Sequence, residues 1–535
     1  MHSRACRLAS RRFTAAAPLS LSNISPNVIA AQYAVRGEIV QCAMEHASAL
    51  ARGEPRPFKS LLYCNIGNPQ DLGQQPLTFF RQVLALANWS ELLSPANAAH
   101  AGALFPADAM ARARRYTEAS VVGAYSHSQG IPLVREEVAE FLRERDGVHA
   151  NASDLFLTDG ASPAARMLMS LLIRGPKDGV MVPVPQYPLY SATIALHAGK
   201  RVDYFLKEEK CWSLEVSREP APPSAACTTN LPPSPPPSPT PLLLCPKMEE
   251  LERSYSEASA AGTEVRAIVV INPGNPTGGV LNASNILDVA KFAAARGLLV
   301  IADEVYQSNI WDSSKQFVSF KKVAVEAGLL DPHRSEVARP GGLQLASLQS
   351  TSKGFVGECG RRGGYMEVCG VDAGVRGELY KLASLNLCSN TTGQLLMGLQ
   401  CRPPVQGEES WPLYQRERDG ILASLARRAS RLNRAMRAME GASCQPAEGA
   451  MYAFPQIRLP QRALQAAREA GKAADTFYCL QLLEEKGIVV VPGSGFGQAP
   501  GTLHFRATIL PPEEDIETVC TSLQAFHASF MDRYR

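Results

Sequence analysis

Short apolar runs alternate with helical patterns between about Phe156 and Ser352, and each run ends in a polar or glycine-rich turn. This alternation is typical of a parallel sheet with crossover helices. Ligands of such sheets bind at the carboxyl ends of the strands, so the residues directly after each run are candidates for a site. The runs predicted as strands are Leu155 to Thr158, Gly179 to Val184, Ala267 to Ile271, Leu298 to Ala302 and Leu345 to Gln349.

The pattern changes beyond about Asn390. Long amphipathic helices are predicted there, for example from Asp419 to Met439, and glycine-rich apolar segments follow near Gly449 and Gly493. These helices and segments no longer follow the alternation that is typical of a parallel sheet. The sequence therefore predicts a second, smaller domain towards the carboxyl end.

Composition and charge narrow the class of partner. Of the 535 residues, 45% are hydrophobic and 20% are charged, which is ordinary for a globular protein with a large core. Lysine and arginine number 54 against 51 aspartate and glutamate, so the formal charge of +3 gives no excess that would favour nucleic acid or an anionic membrane. No apolar run approaches the roughly 18 to 20 residues of a membrane-spanning helix. We therefore expect small-molecule partners, no nucleic acid and no membrane.

The 13 cysteines are an odd number and include no C-x-x-C pair. This pattern disfavours a disulfide framework and a zinc site, so we expect no metal and a reducing compartment.

The amino-terminal end differs from the rest of the chain. Arg4, Arg7, Arg11 and Arg12 lie among serine, alanine and leucine, and no acidic residue precedes Glu38. This composition predicts a cleavable transit peptide over residues 1–25. Import into the mitochondrial matrix is the favoured interpretation, with plastid import and an untargeted cytoplasmic protein as alternatives.

A proline-rich segment interrupts the alternating pattern at residues 216–246. Eleven prolines fall within the 27 residues from Pro220 to Pro246. Such a segment cannot form a helix interior or a central strand. We therefore predict an insertion that loops out from the surface.

Three groups of residues at the predicted strand ends carry candidate chemistry. The first is Asp159-Gly160-Ala161-Ser162-Pro163, between a predicted strand and a predicted helix. Ser162 is expected to cap this helix, and Pro163 suits its first position. Free backbone N–H groups and the helix dipole would then bind an anion such as a phosphate ester.

The second group combines Asn272-Pro273-Gly274-Asn275-Pro276-Thr277-Gly278 with Ala302-Asp303-Glu304-Val305-Tyr306. Both segments lie at strand ends, so their side chains should converge on one crevice. An aspartate there can pair with a protonated pyridine nitrogen, because opposite charges a few ångströms apart attract strongly. Asn275 and Tyr306 could donate hydrogen bonds to a phenolate oxygen of the same ring.

The third group is Ser350-Thr351-Ser352-Lys353-Gly354, with Arg361 and Arg362 downstream. A lysine that forms an imine and carries protons needs a lowered pKa, which a cofactor imine and nearby cations supply. Hydroxyl groups and an arginine on either side would hold a phosphate. A lone lysine in such a loop is usually a surface residue, so the interpretation depends on the three groups together.

A resemblance to the class I aminotransferases of fold type I is carried by Asn272 to Gly278, by Ala302 to Tyr306, and by Ser350 to Gly354 with Arg362-Gly363-Gly364. Alanine aminotransferases of plants and algae are resembled at Tyr125-Ser126-His127-Ser128-Gln129-Gly130 and Asn386-Leu387-Cys388-Ser389-Asn390. Four further segments resemble the alanine aminotransferase subfamily, which has the glutamate:glyoxylate aminotransferases as a close sister group. The segments are Pro185-Gln186-Tyr187-Pro188-Leu189-Tyr190, Gly357-Glu358-Cys359-Gly360, Glu448-Gly449-Ala450-Met451-Tyr452 and Val491-Pro492-Gly493-Ser494-Gly495-Phe496-Gly497.

The resemblance implies an α/β fold with a mostly parallel seven-stranded sheet in a large domain and a smaller α+β domain. The implied divisions are an N-terminal arm with part of the small domain over residues 26–110, the large domain over 111–385, and the small C-terminal domain over 386–535. The implied cofactor is pyridoxal 5′-phosphate, and the implied assembly is a homodimer.

The resemblance also implies a role for individual residues. Lys353 would form the Schiff base and carry the proton, Asp303 would pair with the pyridine nitrogen, and Asn275 and Tyr306 would bind the phenolic oxygen. Tyr187 would stack on the ring. The implied phosphate ligands are Gly160, Ala161, Ser162, Ser350 and Arg362, together with Tyr125 from the partner subunit, and the implied substrate ligands are Arg506, Gly67 and Asn275. Arg361 remains a rival of Arg362.

The implied reaction is ping-pong transamination between L-alanine and 2-oxoglutarate, with amino acids and 2-oxo acids as small-molecule partners. A glutamate:glyoxylate or alanine:glyoxylate aminotransferase is the alternative, because Leu104-Phe105-Pro106-Ala107-Asp108-Ala109 and Ala470-Gly471-Lys472 resemble that sister group. A non-enzymatic regulator that binds the cofactor and a lyase are more distant alternatives.

Overall fold

The computed structural model describes residues 19–33, 37–213, 249–333 and 341–535. The predicted insertion at 216–246 and residues 1–18 of the predicted transit peptide lie outside these ranges. The helices in them are α1 Pro26–Ala30, α2 Glu38–Ala51, α3 Thr78–Asn88, α4 Ala98–Leu104, α5 Ala107–Ala119, α6 Pro132–Asp146, α7 Ala161–Leu172, α8 Leu189–Leu196, α9 Glu249–Ala260, α10 Ala283–Arg296, α11 Phe320–Glu326, α12 Ala373–Leu385, α13 Thr391–Cys401, α14 Trp411–Arg437, α15 Gln461–Glu469, α16 Ala474–Lys486 and α17 Glu513–Tyr534.

The strands in the same ranges are β1 Leu62–Tyr63, β2 Leu155–Thr158, β3 Asp178–Val184, β4 Lys200–Phe205, β5 Glu264–Ile271, β6 Leu299–Asp303, β7 Gln344–Ser350, β8 Gly364–Cys369, β9 Ala442–Ser443, β10 Tyr452–Ala453, β11 Gln456–Ile457, β12 Ile488–Val489, β13 Val491–Pro492 and β14 Phe505–Thr508. All five strands predicted from the apolar runs are present: β2 has the predicted ends, and the ends of the other four differ by at most three residues.

Seven of these strands form the central sheet, in the order β2-β8-β7-β6-β5-β3-β4. Only β8 runs antiparallel to its two neighbours, so the expected mostly parallel seven-stranded sheet is confirmed. The carboxyl ends of β2, β3, β5, β6 and β7 consequently meet at one edge of the sheet. The three predicted groups of residues emerge there.

Helices cover both faces of this sheet, because successive side chains of a strand point to opposite faces. In β5, Ile268 and Val270 are buried against α9, α10 and α11, whereas Ala267, Val269 and Ile271 are buried with residues of α7, α8 and α12. A strand buried on both faces must be apolar nearly throughout. This requirement explains the continuous apolar runs in the sequence.

A separate apolar core lies around the short strands of the carboxyl-terminal part. It joins α14, α16 and α17 to β10 and β14, and α2 near the amino end contributes Ile39 and Ala43. Strand β14 pairs antiparallel with both β10 and β13. The predicted second α+β unit is therefore present, while the predicted domain boundaries remain a proposal.

The structure corrects two helix starts. The expected cap by Ser162 is wrong: α7 begins at Ala161, and Gly160 occupies the N-cap position with φ of 89° and no side-chain cap. Glycine adopts this left-handed conformation without strain, so the chain turns into the helix two residues earlier than a cap at Ser162 requires. Helix α14 also begins earlier than predicted, at Trp411, because Pro412 is tolerated in the first helical turn.

Among the described residues, no helix is long and apolar enough to cross a membrane.

A buried ion pair on the sheet gives a test of the fold. Lys321 in α11 donates to Glu367 in β8 at 2.5 Å, and both side chains are at most 2% exposed. Replacing Lys321 by methionine leaves a buried carboxylate without its partner, which should lower the free energy of unfolding by about 3–5 kcal/mol. Urea unfolding at a pH above neutrality measures this change.

The neighbouring Lys322→Met is the matched control. Lys322 pairs with Glu326 at the surface, and such pairs contribute less than about 1 kcal/mol. The double variant Lys321→Met/Glu367→Leu should recover most of the lost stability, since it removes both charges. Equal losses from Lys321→Met and Lys322→Met would contradict this account of the ion pair.

Candidate active site

The polar residues at the strand ends line one cavity of about 340 Å³ between the central sheet and the strands around β14. Eleven of the thirteen residues predicted for the site line this cavity: Gly67, Ala161, Ser162, Tyr187, Asn275, Asp303, Tyr306, Ser350, Lys353, Arg362 and Arg506. Gly160 lies directly beside it. Tyr125 does not reach it and is 78% exposed.

Asp303 ends strand β6 at the floor of the cavity. Its Oδ2 atom accepts a hydrogen bond of 2.7 Å from the Tyr190 hydroxyl, whereas its buried Oδ1 atom has no hydrogen-bond partner among the described residues. Burial raises the pKa of Asp303 to about 6, against the lowering effects of the Tyr190 hydrogen bond, the backbone N–H of Val305 and the charge of Lys353. A buried carboxylate oxygen without a partner is costly, so this atom is suited to pair with a cation.

The opposite corner of the cavity is suited to an anion. Gly160 precedes α7, and a β-carbon at this position would lie 2.8 Å from Nη2 of Arg362 and 3.5 Å from Oγ of Ser350. The guanidinium donates to the backbone oxygens of Cys359 and Asp159. The N-terminus of α7, the Arg362 guanidinium and the Ser350 hydroxyl thus surround a small space, which stays open because Gly160 has no side chain. A phosphate group suits such a space.

Arg362, and not Arg361, is the arginine at this corner. The structure places Arg362 in the left-handed region with φ of 55°, and this turn directs its side chain into the cavity. Arg361 lies outside the cavity lining, 3.8 Å from the carboxylate of Glu358.

Lys353 follows β7 and extends into the middle of the cavity. Its Nζ atom donates a 2.6 Å hydrogen bond to the backbone oxygen of Gly67. A β-carbon at Gly67 would lie 2.9 Å from this nitrogen and 2.5 Å from the Tyr452 hydroxyl, so only glycine permits this close approach of the backbone. The amine is therefore held near both Asp303 and the ring of Tyr306.

Arg506 closes the cavity from strand β14 and is 2% exposed. Its guanidinium carbon lies 4.3 Å from the ring centroid of Tyr452 and 4.6 Å from that of Phe496, so the planar cation is held between two aromatic rings. The Nη atoms donate to Oδ1 of Asn275 and to the backbone oxygen of Asn65, whereas the buried Nε has no partner in the part of the chain that the structure describes. A carboxylate ligand would supply that partner.

The cavity as a whole fits pyridoxal 5′-phosphate. Asp303 Oδ1 is placed for a protonated ring nitrogen, the corner at Gly160 and Arg362 for the phosphate, and the amine of Lys353 for the aldehyde carbon. Asn275 and Tyr306, whose Nδ2 and hydroxyl atoms are 3.4 Å apart, offer donors for the phenolic oxygen.

Comparison with known proteins agrees with this geometry. The sequence model of the family "Aminotransferase class I and II" matches residues 92–218 and 245–523. The chain belongs to the class I and II aminotransferases.

Relatives of this aminotransferase match over nearly the whole chain. "Alanine aminotransferase 2" of Panicum miliaceum is 50% identical over 97% of this chain and 100% of that protein. "Alanine aminotransferase 1, mitochondrial" of Arabidopsis thaliana is 48% identical over 97% of this chain and 88% of that protein. "Glutamate--glyoxylate aminotransferase 1" of Arabidopsis thaliana is 44% identical over 96% and 97%.

The solved structure of an alanine aminotransferase from Pyrococcus furiosus superposes with a TM-score of 0.68, at 21% identity over 95% of this chain and 100% of that one. At this identity the likeness establishes the fold, which is fold type I. The enzyme is thus a pyridoxal phosphate-dependent aminotransferase that acts on amino acids and 2-oxo acids.

Four residues of the aminotransferase site were given no role in the sequence analysis. Tyr190 bonds to Asp303, and Tyr452 and Phe496 enclose Arg506. Tyr33, from the segment after α1, lies at the cavity mouth with its hydroxyl 2.5 Å from that of Tyr187. Tyr190 lies in the first turn of α8, shortly after β3 ends, so its position after a predicted strand was a usable signal.

The Tyr190–Asp303 hydrogen bond predicts how cofactor binding depends on pH. Only an ionised Asp303 can pair with a protonated ring nitrogen, so affinity for pyridoxal phosphate should fall as the pH drops through about 6, where this carboxyl group takes up a proton. Tyr190→Phe removes an interaction that lowers the pKa of Asp303. The fall should therefore begin about one pH unit higher in this variant.

Titration of the apoenzyme with pyridoxal phosphate at a series of pH values measures this shift. The phosphate group of the cofactor also takes up a proton in this pH range. The shift between the variants, and not the absolute midpoint, therefore reports on Asp303. Tyr204→Phe is the matched control, because its buried hydroxyl donates to the backbone oxygen of Val269 away from Asp303. Coincident curves for all three proteins would refute the role of Tyr190.

Proposed function

We propose that this aminotransferase transfers the amino group of L-alanine to 2-oxoglutarate, forming pyruvate and L-glutamate. The observation that carries the proposal is the near-complete match at 50% identity to a protein named alanine aminotransferase. The arrangement of the cavity supports it, because a single buried arginine faces the place where an α-carboxylate would bind.

In this proposal the residues of the chain divide the work of binding and proton transfer. When bound, the cofactor supplies an electron sink for the α-carbon of the substrate. Lys353 would hold the cofactor through its side-chain amine, and the same amine, placed at the backbone oxygen of Gly67, would carry the α-proton of the substrate. Asp303 would pair with the protonated ring nitrogen, and the ring of Tyr187 would pack against the cofactor.

Arg506 binds the α-carboxylate of the substrate. Two aromatic rings and the bond to Asn275 already fix its guanidinium, so little side-chain freedom is lost on binding. A fixed carboxylate orients the α-hydrogen toward Lys353, and correct orientation is a large part of catalysis. The backbone of Gly67 would lie against the same carboxylate.

Glutamate:glyoxylate transamination is the second candidate. It is favoured by the match at 44% identity to a protein of that name, which covers 96% of this chain. Both reactions use the same lysine and arginine, so they differ only in the substrate side chain.

We also propose a homodimer in which Tyr125 contacts the phosphate of the partner subunit's cofactor. Tyr125 is well exposed and outside the cavity of its own subunit, as such a role requires.

The proposed location is the mitochondrial matrix, since related enzymes of Arabidopsis thaliana and Dictyostelium discoideum are named mitochondrial. Import of the full chain into isolated mitochondria, with loss of the arginine-rich start, tests the location.

The substrate assignment is tested with purified enzyme, L-alanine or L-glutamate as donor, and pyruvate, 2-oxoglutarate or glyoxylate as acceptor. We expect kcat/KM for 2-oxoglutarate with L-alanine to exceed that for glyoxylate with L-glutamate about tenfold or more, a difference of about 1.4 kcal/mol between the two transition states. The reverse preference would assign the enzyme to the second candidate. If the purified enzyme shows no absorbance from a bound cofactor, both candidate functions are wrong.

The dimer is tested by complementation between inactive subunits. Lys353→Ala and Tyr125→Ala should each be nearly inactive alone, whereas their mixed dimer has one complete site and should restore up to about a quarter of the activity in a statistical mixture. Mixing Lys353→Ala with Asp303→Ala is the control. Those two residues belong to one site of one subunit, so no complete site can form and no activity should return.

A further inference from the structure

A buried pair of side chains joins the two parts of the protein behind Arg506. His504 directly precedes β14, which contains Arg506, and its Nε2 atom lies 3.0 Å from Oε2 of Glu208. Glu208 begins a short 3₁₀-helix that follows β4 of the central sheet. The side chain of His504 is 2% exposed and that of Glu208 is 16% exposed. The proposed function gives this pair no role.

The hydrogen bonds on the other side of His504 show which ring nitrogen holds a hydrogen. Asp475 is an acceptor, because its Oδ2 atom accepts from the backbone N–H of Ser494 at 2.6 Å and from Nε2 of Gln498 at 3.2 Å. Gln498 Oε1 in turn accepts from the backbone N–H of His504 at 3.0 Å, so both ends of this amide are assigned by their partners. The same Oε1 atom lies 3.1 Å from Nδ1 of His504. An amide oxygen only accepts, so Nδ1 holds a hydrogen.

The contact with Glu208 therefore needs a further proton. A neutral histidine has one ring hydrogen, which Nδ1 holds, and its Nε2 would face a carboxylate with lone pair against lone pair. One proton between Nε2 and Oε2 removes this repulsion, whichever of the two atoms holds it. The ring of Phe454 stacks on that of His504 at 4.7 Å with 3° between the planes, and such a face stabilises a cation. The pair thus forms a hydrogen bond only while it shares that proton.

Glu208 depends on this bond. Its other oxygen, Oε1, is buried and has no partner among the described residues, so the bond to His504 compensates the charge of the carboxylate. The ionisable groups around the ring come from several segments. They are Glu208, Glu209 and Arg458, which line one cavity with His504, Asp475 behind Gln498, and Cys444 near Glu208.

Packed rings connect the pair to Arg506. Phe454, which stacks on His504, also meets Phe496 edge to face at 5.9 Å, and Phe496 lies against the Arg506 guanidinium. Gln498, which bonds to His504, follows Phe496 by two residues in the same turn. Close-packed side chains transmit small displacements to their neighbours. A shift of His504 therefore displaces the ring that supports Arg506.

We propose that Glu208 and His504 are positioning residues, which hold Arg506 in place for the substrate carboxylate only while the pair shares its proton. This inference rests on the proposed function, because it needs Arg506 to bind the α-carboxylate. It has a definite sign. Release of the proton to solvent at higher pH weakens carboxylate binding, whereas cofactor binding depends on Asp303 and Lys353 on the other side of the cavity and stays the same.

The test is competitive inhibition of the holoenzyme by propionate, measured against L-alanine. Propionate has the carboxylate of alanine without the amine, and it stays ionised above about pH 6. Glu208→Ala removes the bond at every pH. Near neutral pH, its inhibition constant and its KM for L-alanine should be about tenfold higher while kcat changes by less than about twofold, because substrate and transition state lose the same contact. A fall in kcat with both constants unchanged overturns the proposal.

Glu208→Gln separates the hydrogen bond from the shared proton. Its amide can donate to a neutral Nε2, so the bond forms without the additional proton. In the unmodified enzyme the inhibition constant should rise at higher pH, and in Glu208→Gln this rise should disappear. A rise that persists in Glu208→Gln, or no rise in the unmodified enzyme, overturns the proposal. This nearly isosteric variant also provides the answer if Glu208→Ala does not fold.

Glu209→Gln is the matched control, because it removes the same charge from the next residue. Glu209 is exposed, and no bond joins it to His504 in the described part of the chain, so its inhibition constants should follow those of the unmodified enzyme. Cofactor absorbance should be equal in all these variants.

Arg506→Lys separates the inference from the proposed function. If this variant binds propionate as tightly as the unmodified enzyme, the role of Arg506 in the proposed function is wrong. If it binds propionate weakly while Glu208→Ala binds it normally, only the inference is wrong.

Discussion

Burying a carboxyl group at the end of a central strand is unfavourable unless a cation pairs with it. Asp303 is buried in this way at the end of β6, with strands on both sides and one oxygen without a protein partner. The parallel neighbours β5 and β7 deliver their own carboxyl-terminal loops to the same edge. The sheet topology therefore places Lys353, the donors Asn275 and Tyr306, and the anion-binding corner at Gly160 around this carboxyl group.

The opposite wall depends on a second buried charge. Arg506 comes from a small antiparallel sheet with its own apolar core, yet it bonds to Asn275, which follows β5 of the large sheet. Tyr452 and Phe496 replace water around its guanidinium. The cavity thus has the Asp303 carboxyl group on one side and the Arg506 guanidinium on the opposite side. A ligand that carries charges of both signs can pair with both.

The sequence predicted the sheet and much of the cavity, because strands buried on both faces and the loops that follow them leave local patterns. Gly67 and Arg506 lie far from these loops in the chain and were found only through resemblance to a family. Tyr452 and Phe496 act by packing against Arg506, and an uncharged aromatic residue in a glycine-rich segment does not differ locally from a core residue. The start of α7 was misplaced because a serine cap and a glycine turn both suit Asp159–Pro163, and only backbone geometry distinguishes them. The role proposed for Tyr125 requires a second subunit, which no single chain describes.

The backbone at Arg362 has a consequence for protein engineering. A residue with a side chain in the left-handed region carries a conformational cost of about 1–3 kcal/mol, which glycine avoids. A redesign that ranks substitutions by backbone preference alone would therefore select Arg362→Gly as a stabilising change. That change would also remove the guanidinium from the anion-binding corner at Gly160, where the phosphate of the cofactor is proposed to bind. Thermostability programmes for this enzyme should exempt position 362, because the substitution that relieves the backbone also removes the side chain proposed to retain the cofactor.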